Sequence, residues 1–455
     1  MNVKRTVSLA AAMLAVSMAT LAGGSAFAAD RPASSAGRDV EWKLFNSRLG
    51  MFIHWGIYSV GEWHCQQLWR GFMSRQEYDK YMHRFDAKNF NADHFVDVAE
   101  SAGAEYIIFT SKHHDGFCMW DTATTDYKVT NTPAKRDIIG ELAEACHRRG
   151  MKLAFYYSNP DWHHPNSHNP KSTHQFPLQP GDEPDMEKYI AYVKAQVTEL
   201  LTKYGKIVSF FWDIPTRIDR PDMDELVRKL QPGILINDRG WGNKATCDFS
   251  TPERNYKWDV SCGRFIEAND AVGVQSWGYR RNEDYHTHGY LTRKIDSYLA
   301  TGANFVLNVG PKSDGTIPET HCRMMAKVGK WYSSVRDSYR NVETIPGLVK
   351  LNNAVVTRRD DTLFVHFPKG LDANGVDMGP LDILPKKAVV MNTGAPLDVK
   401  VELMPWNAPR SNKETLHVMG IPADELANEG IVLQLDFEKG AVDKVIAKLT
   451  KEAKK

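Results

Sequence analysis

Cysteine is scarce. Six occur in a chain of 455 residues (Cys65, Cys118, Cys146, Cys247, Cys262 and Cys322), and no two form a CxxC pair. That sparseness excludes a disulfide scaffold and a thiol-rich zinc site, and leaves buried free thiols with at most one bridge. Neither sign of charge is in excess: 57 Lys+Arg stand against 56 Asp+Glu, a net charge of +1. Neutralising phosphates needs a surplus of Lys and Arg, so nucleic acid is not an expected partner. Beyond the N-terminus no apolar run approaches the ~20 residues needed to cross a bilayer, so no membrane partner is expected either. Internal repeats and low-complexity segments are also missing.

Two residue types are plentiful, with 12 Trp and 16 His. Together they suit a pocket that stacks and hydrogen-bonds a polar ligand. A composition 42% hydrophobic and 25% charged is that of a globular chain, and the length favours two or three domains or one large barrel with an appendage. The first 29 residues read as a secretory signal peptide. Lys4 and Arg5 precede an apolar run from Val7 to Leu21, and Ser25-Ala26-Phe27-Ala28-Ala29 supplies small residues for cleavage. The expectation is export, periplasmic or secreted, with a mature chain starting near Ala29 or Asp30.

From residue 50 onward, short apolar runs alternate with amphipathic stretches. The runs begin at Gly50, Tyr106, Lys152, Ile207, Ile234 and Asn304. Their continuous β-branched and aromatic character predicts parallel strands buried on both faces. Gly103, Gly150, Gly205 and Gly302 follow four of the intervening helical stretches, where a helix C-terminus closes. The predicted fold is an α/β (β/α)8-like barrel over residues 30–340. An open doubly wound sheet is disfavoured because no GxGxxG follows the first strand. After about residue 340, short alternating segments separated by Pro, Gly, Asn and Asp predict an antiparallel β-sandwich over 341–455. The charged tail from Lys444 reads as frayed.

In such a barrel the reacting groups come from the C-terminal ends of the strands. The strands here end in His54-Trp55-Gly56, Lys112-His113-His114-Asp115, Tyr156-Tyr157-Ser158, Trp212-Asp213, Asn237-Asp238-Arg239 and Asn308-Val309-Gly310. One such residue is more often a cap or a satisfied core group than a catalyst. Six in series favour a pocket. Neutral His and Asn groups with flanking Trp suit sugar hydroxyls, and glycoside hydrolysis needs two carboxyls. Asp213 follows a rigid apolar strand, and Glu253 lies on a later loop that can reach the same place.

The motifs Gly50-Met-Phe-Ile-His54 through Val60, Glu62-Trp63, Lys112 to Phe117, Tyr156 to Ser158, Asp161 to Pro165, Asn237 to Arg239, Ser276 to Tyr279 and Asn304 to Pro318 resemble the α-L-fucosidases of glycoside hydrolase family 29. They occur in the family's order over roughly residues 41–340. The resemblance implies an irregular barrel followed by a sandwich, and a retaining exo-hydrolase of terminal α-L-fucose that needs no metal or other cofactor. It implies a fucosylated oligosaccharide or glycoconjugate as the partner. It places Asp213 at the nucleophile, His54, Glu62, Trp63, His113 and His114 at the fucose hydroxyls, and Tyr156 beside them. Arg239 falls near the nucleophile, and Trp277 at an aromatic by the sugar's methyl group. Glu253 is the preferred acid/base, with Glu267 the alternative; the simpler role for Glu267 is a hydrogen bond in the pocket wall. One departure stands out. The family usually has a small residue after the nucleophile, whereas Ile214-Pro215 follows Asp213 here, which affects the shape of that loop.

Two other readings compete. A metal-dependent hydrolase on the same barrel would draw ligands from His113-His114, His163-His164 and His286-Thr-His288. An inactive fucose-binding protein fits the aromatic rim, but such a relative would often have lost one carboxyl, and Asp213 and Glu253 are both present. The near-zero net charge fits a neutral sugar, which offers nothing to steer. Trp42, Trp69 and Trp331 read as packing residues, and the Pro-rich segment from Pro160 to Pro184 as a surface loop over the pocket. The fucosyl linkage and the oligomeric state are not written in the sequence.

Overall fold

The computed structural model describes residues 48–242, 246–254, 265–349, 354–405 and 413–452. The leader expected at residues 1–29, Trp42 and Cys262 lie outside the described residues. Eight strands form the first sheet: β1 (Leu49–Ile53), β2 (Tyr106–Lys112), β3 (Lys152–Ser158), β4 (Ser209–Asp213), β5 (Leu235–Ile236), β6 (Phe249–Ser250), β7 (Phe265–Ala271) and β8 (Asn304–Val309). Their order is β5-β4-β3-β2-β1-β8-β7-β6, and every pairing is parallel. Just past β5, Asn237 bridges to Phe249 of β6, and the Asp248 N–H donates to the Ile236 carbonyl at 2.7 Å. Those contacts nearly close the sheet into a barrel.

The continuous apolar runs have a period-2 logic inside them. Met51, Ile53, Ile107, Phe109, Phe155 and Trp212 pack outward with the helices. The alternate positions Phe52, Ile108, Ala154, Tyr156, Phe211 and Val306 form a separate cluster inside the barrel. Both faces are buried, which is why the alternation is invisible in hydrophobicity alone. The helices Ala92–Ser101, Ile138–Arg149, Met186–Lys203 and His288–Leu299 start at Asn91, Asp137, Asp185 and Thr287, whose side chains accept a first-turn N–H. The helix Glu319–Val335 follows β8 and leads to the second unit. No helix among the described residues is long and apolar enough to cross a membrane.

Two strands differ from the sequence expectation. β6 has only two residues, and β7 reads Phe-Ile-Glu-Ala-Asn-Asp-Ala, a polar run that carries no strand signal. Its polar groups are nevertheless buried, and the charged Asp270 is matched. Asp270 meets Lys294 at 2.8 Å with both side chains 1% exposed, so the carboxylate is compensated without water.

Beyond residue 340 two antiparallel sheets stack. One has the order β13-β16-β11-β10-β9 and the other β12-β15-β14, where β9 is Glu343–Thr344, β10 Val355–Arg359, β11 Thr362–Phe367, β12 Gly375–Met378, β13 Lys387–Val390, β14 Asp398–Glu402, β15 Thr415–Met419 and β16 Ile431–Asp436. Their facing residues, Leu363, Val365, Met378, Val418 and Leu433 among them, form a core of their own. A fully buried pair joins the units: Asp296 on a barrel helix meets His366 of β11 at 2.7 Å. The tail is a correction. Residues Ala441–Glu452 form a helix rather than a frayed end, with Val442 and Val445 buried in the sandwich core. Apolar residues at 442, 445, 446 and 449 share one helix face, and Asp361 accepts the N–H groups of Gly440 and Val442 at the helix start.

Candidate active site

The residues at the C-terminal strand ends converge on a cavity of about 330 Å³, within the range of small-molecule sites. Asp213 is the last residue of β4, 8% exposed. Its Oδ2 accepts from the Tyr156 hydroxyl at 2.8 Å, and its Oδ1 from Arg239 at 2.8 Å. Burial alone would raise this carboxyl, but the Arg239 guanidinium and the Tyr156 hydroxyl outweigh it and hold Asp213 below the usual range, hence ionised.

The same Arg239 nitrogen donates to Glu253 Oε2 at 3.1 Å, and its neighbour donates to the Thr251 carbonyl at 2.6 Å. The Glu253 loop is pinned from the other side by a parallel bridge between Glu253 and Asn269 of β7. Glu253 itself reaches solvent, with 43% of its side chain exposed. The cavity therefore presents one buried carboxylate and one open carboxyl around a shared cation.

The histidines line the other wall. Asn308 gives its amide N–H to the Trp277 carbonyl, which turns its oxygen toward His54 Nδ1 at 2.6 Å. His54 therefore donates from Nδ1 and keeps Nε2 as an acceptor. Ser158 gives its hydroxyl proton to the Pro160 carbonyl, so His114 must donate from Nδ1 to Ser158 Oγ at 2.7 Å. Burial pushes His54 down to about 4, and His113 and His114 well below their ordinary value. All three are neutral imidazoles. Two buried polar atoms on the cavity wall, His113 Nδ1 and Asn269 Nδ2, have no protein partner. Neutral rings and unpartnered polar atoms are what adjacent hydroxyls require.

A buried frame beneath the wall sets these positions. Gly116, at φ +79°, lies so close to Asp161 that an added Cβ would sit 2.2 Å from its carboxylate. That carboxylate pairs with the buried Lys112 at 3.0 Å. The residue after Asp213 keeps a glycine-like conformation although it is β-branched: Ile214 has φ +58°. Asn159 secures it by donating from one amide nitrogen to the Ile214 carbonyl at 2.9 Å and to the Arg239 carbonyl at 2.8 Å.

Of the residues singled out in the sequence, His54, His113, His114, Tyr156, Asp213, Arg239, Glu253 and Trp277 all line this cavity. Glu62, Trp63 and Glu267 do not. Glu62 pairs with Arg281, and Trp63 is 44% exposed outside the cavity, while the same segment presents His64 and Gln66. Glu267 is fully buried at the opposite end of the barrel, where Tyr106, the first residue of β2, donates to it at 2.7 Å. Burial pushes its carboxyl up to about 7. The cavity also recruits residues that sequence reasoning missed: Phe52 and Phe211 from inward strand positions, Asn269 from β7, Arg254 beside Glu253, and Arg70 and His174 from flanking loops. Inward alternation points to the two Phe; Asn269 was hidden with its strand. The other histidine pairs are not gathered around a common point. His163 stacks on Tyr127 and His286 on Tyr290, and no group of three or more His, Cys, Asp or Glu suited to a metal ion occurs among the described residues.

Comparison with known proteins agrees with this geometry. A family model described as Alpha-L-fucosidase matches residues 25–335. The tissue alpha-L-fucosidase of Bos taurus is 26% identical over 334 residues, 63% of this chain and 66% of that protein, so the chain matches just under two thirds of that relative. Alpha-L-fucosidase isoenzyme 1 from Paenibacillus thiaminolyticus superposes with a TM-score of 0.76 at 29% identity, covering 88% of this chain and all of that one. A GH29 alpha-L-fucosidase of Bacteroides thetaiotaomicron, solved as a trapped covalent intermediate, shares the fold with a TM-score of 0.71 at 23% identity, over 91% of this chain and 98% of that one. With a match that spans most of the barrel, the chain belongs to the alpha-L-fucosidase family.

Proposed function

We propose that this protein is an exo-acting, retaining α-L-fucosidase that hydrolyses terminal α-L-fucosyl linkages by double displacement. The observation that carries the reading is the Arg239 nitrogen held by both carboxyls. Asp213 Oδ1 at 2.8 Å and Glu253 Oε2 at 3.1 Å lie no farther apart than the sum of those bonds, under about 6 Å. Retaining enzymes hold their carboxyls ~5–5.5 Å apart, whereas inverting ones need ~6.5–9.5 Å to admit a water.

Asp213, ionised by Arg239 and Tyr156, attacks the anomeric carbon. Glu253, open to solvent at the cavity mouth, protonates the departing oxygen. The covalent fucosyl-enzyme is then hydrolysed by water that Glu253 deprotonates, and the α configuration is retained. The neutral His54, His113 and His114 hydrogen-bond the sugar hydroxyls, and Trp277, stacked on His54 at 5.3 Å, closes the apolar side. The covalent intermediate trapped in the Bacteroides relative supports this order of events. Fucosylated oligosaccharides or glycoconjugates are the substrates, and the leader at residues 1–29 supports export.

Azide rescue tests the assignment. Glu253→Ala should lose turnover of natural fucosides, whose departing oxygen needs a proton, and with azide should regain turnover of an activated nitrophenyl α-L-fucoside, giving the α-fucosyl azide. Glu267→Ala should show no such rescue. The reverse pattern would move the acid/base to Glu267.

A further inference from the structure

We infer that the mouth of this cavity recognises an anionic group, a sulfate ester or a carboxylate, on the sugar to which fucose is attached. The inference rests on the fucosidase reading and goes beyond it, because the fucosyl unit itself is neutral. It comes from the balance of charge around the cavity, which the whole-chain charge conceals.

Among the described residues, three arginines and two carboxyls line the cavity: Arg70, Arg239 and Arg254 against Asp213 and Glu253. Arg239 is occupied by both carboxyls at once. Arg254 lies 4.5 Å over the Trp277 ring and 3.6 Å from Asp270, but that carboxylate is also the 2.8 Å partner of Lys294. One buried anion therefore serves two cations. Among the described residues, Arg70 has no carboxylate within ion-pair distance. Its Nε donates to the neutral Gln66 Oε1 at 2.6 Å, and the residue is exposed at the end of the short helix Gln67–Arg70.

The histidines around it add no charge and feel the surplus. Burial first, and then Arg70, Arg254 and Arg280, bring His64 down to about 4. His174, beside Trp69 and His114, is also held down by burial, with Arg70 adding to it. The mouth thus carries uncompensated positive charge on a side chain whose planar fork matches a carboxylate or sulfate. Position separates this group from fucose binding. The hydroxyl-binding His54, His113 and Tyr156 are at most 5% exposed on the floor, whereas Arg70 and Glu253 reach solvent. The departing sugar leaves past Glu253, and His174 feels the charges of both Glu253 and Arg70, which puts Arg70 on the aglycone side of the mouth.

The test compares kcat/KM for fucosyl-N-acetylglucosamine, its 6-O-sulfate and fucosyl-glucuronate, with the wild type and with Arg70→Gln and Arg70→Lys. The wild type should prefer at least one anionic substrate by about fivefold, mainly through KM, as for a single exposed ion pair. Half-molar salt should shrink the preference. Arg70→Gln should bring the ratio of charged to neutral substrate near one, and Arg70→Lys should keep part of it. Which substrate is favoured identifies sulfate or carboxylate as the source of the anion. A wild-type ratio at or below one for both, or a ratio unchanged in Arg70→Gln, overturns the inference. No turnover of any of the three or of a nitrophenyl α-L-fucoside would instead refute the fucosidase reading.

Discussion

Replacing Arg239 with Gln removes the one cation that the two carboxyls share while keeping a polar side chain in place. Asp213 is 8% exposed, so the lost partner is not replaced by bulk water. A hydrogen bond from a charged group is worth ~1.5–3 kcal/mol, and each pH unit of pKa shift corresponds to about 1.36 kcal/mol. The Asp213 carboxyl should therefore rise by roughly 1–2 units from its depressed value. Asp213 must be ionised to attack, so the acidic limb of the kcat/KM profile should move up by the same amount. Stability has a matching sign. A carboxyl held below its unfolded value stabilises the fold above that value, and the benefit is lost as pH falls through the folded one. The variant should thus be less stable than the wild type at pH 7, and the gap should close toward pH 3. The assay is kcat/KM for a nitrophenyl α-L-fucoside between pH 3 and 9, with thermal melts across the same range. An acidic limb that stays in place while activity falls would show that Arg239 does not set the charge of the nucleophile.

Tyr156→Phe removes the other donor to Asp213, 2.8 Å away. A hydrogen bond to an ionised carboxylate contributes about 1.5–3 kcal/mol, so kcat/KM should fall by roughly 10–150-fold with a limb shift of about 1–2 units, read in the same pH profile. Glu267→Gln should leave turnover largely intact, since Glu267 lies at the far end of the barrel against Tyr106. Its carboxyl, raised by burial to about 7, favours folding below the unfolded pKa and loses that advantage as pH rises through 7. The Gln variant should therefore melt higher than the wild type at pH 8, by on the order of 3 kcal/mol, and gain much less at pH 5; equal shifts at both pH values contradict this. Gly116→Ala places a Cβ 2.2 Å from the Asp161 carboxylate at φ +79°, and should cost about 2 kcal/mol or more in denaturant melts.

The barrel was legible where burial on both faces wrote unbroken apolar runs, as at Phe52 and Phe211. It was illegible at β7, because Glu267, Asn269 and Asp270 satisfy their polarity through Tyr106, the substrate cavity and Lys294, which local sequence does not show. Strand-end residues such as His54, Asp213 and Arg239 were readable because a barrel strand's end fixes where its side chain arrives. Residues carried by loops followed no such rule. Glu62 turns away at φ +52° to pair with Arg281, and His64 and Gln66 enter the cavity instead. The choice between Glu253 and Glu267 needed three dimensions, since both lie in the stretch after Arg239 and only one reaches the cavity. The same holds for the tail helix, whose four apolar positions gain meaning only against the sandwich core.

The central claim is that Asp213 forms a covalent bond with the sugar. The most direct measurement is mass mapping after incubation with a 2-deoxy-2-fluoro fucosyl fluoride, which slows hydrolysis of the intermediate. A single fluorofucosyl adduct is expected on the peptide carrying Asp213, and none in Asp213→Ala. An adduct on another residue, or an active enzyme that never accumulates one and releases β-fucose first, would contradict it.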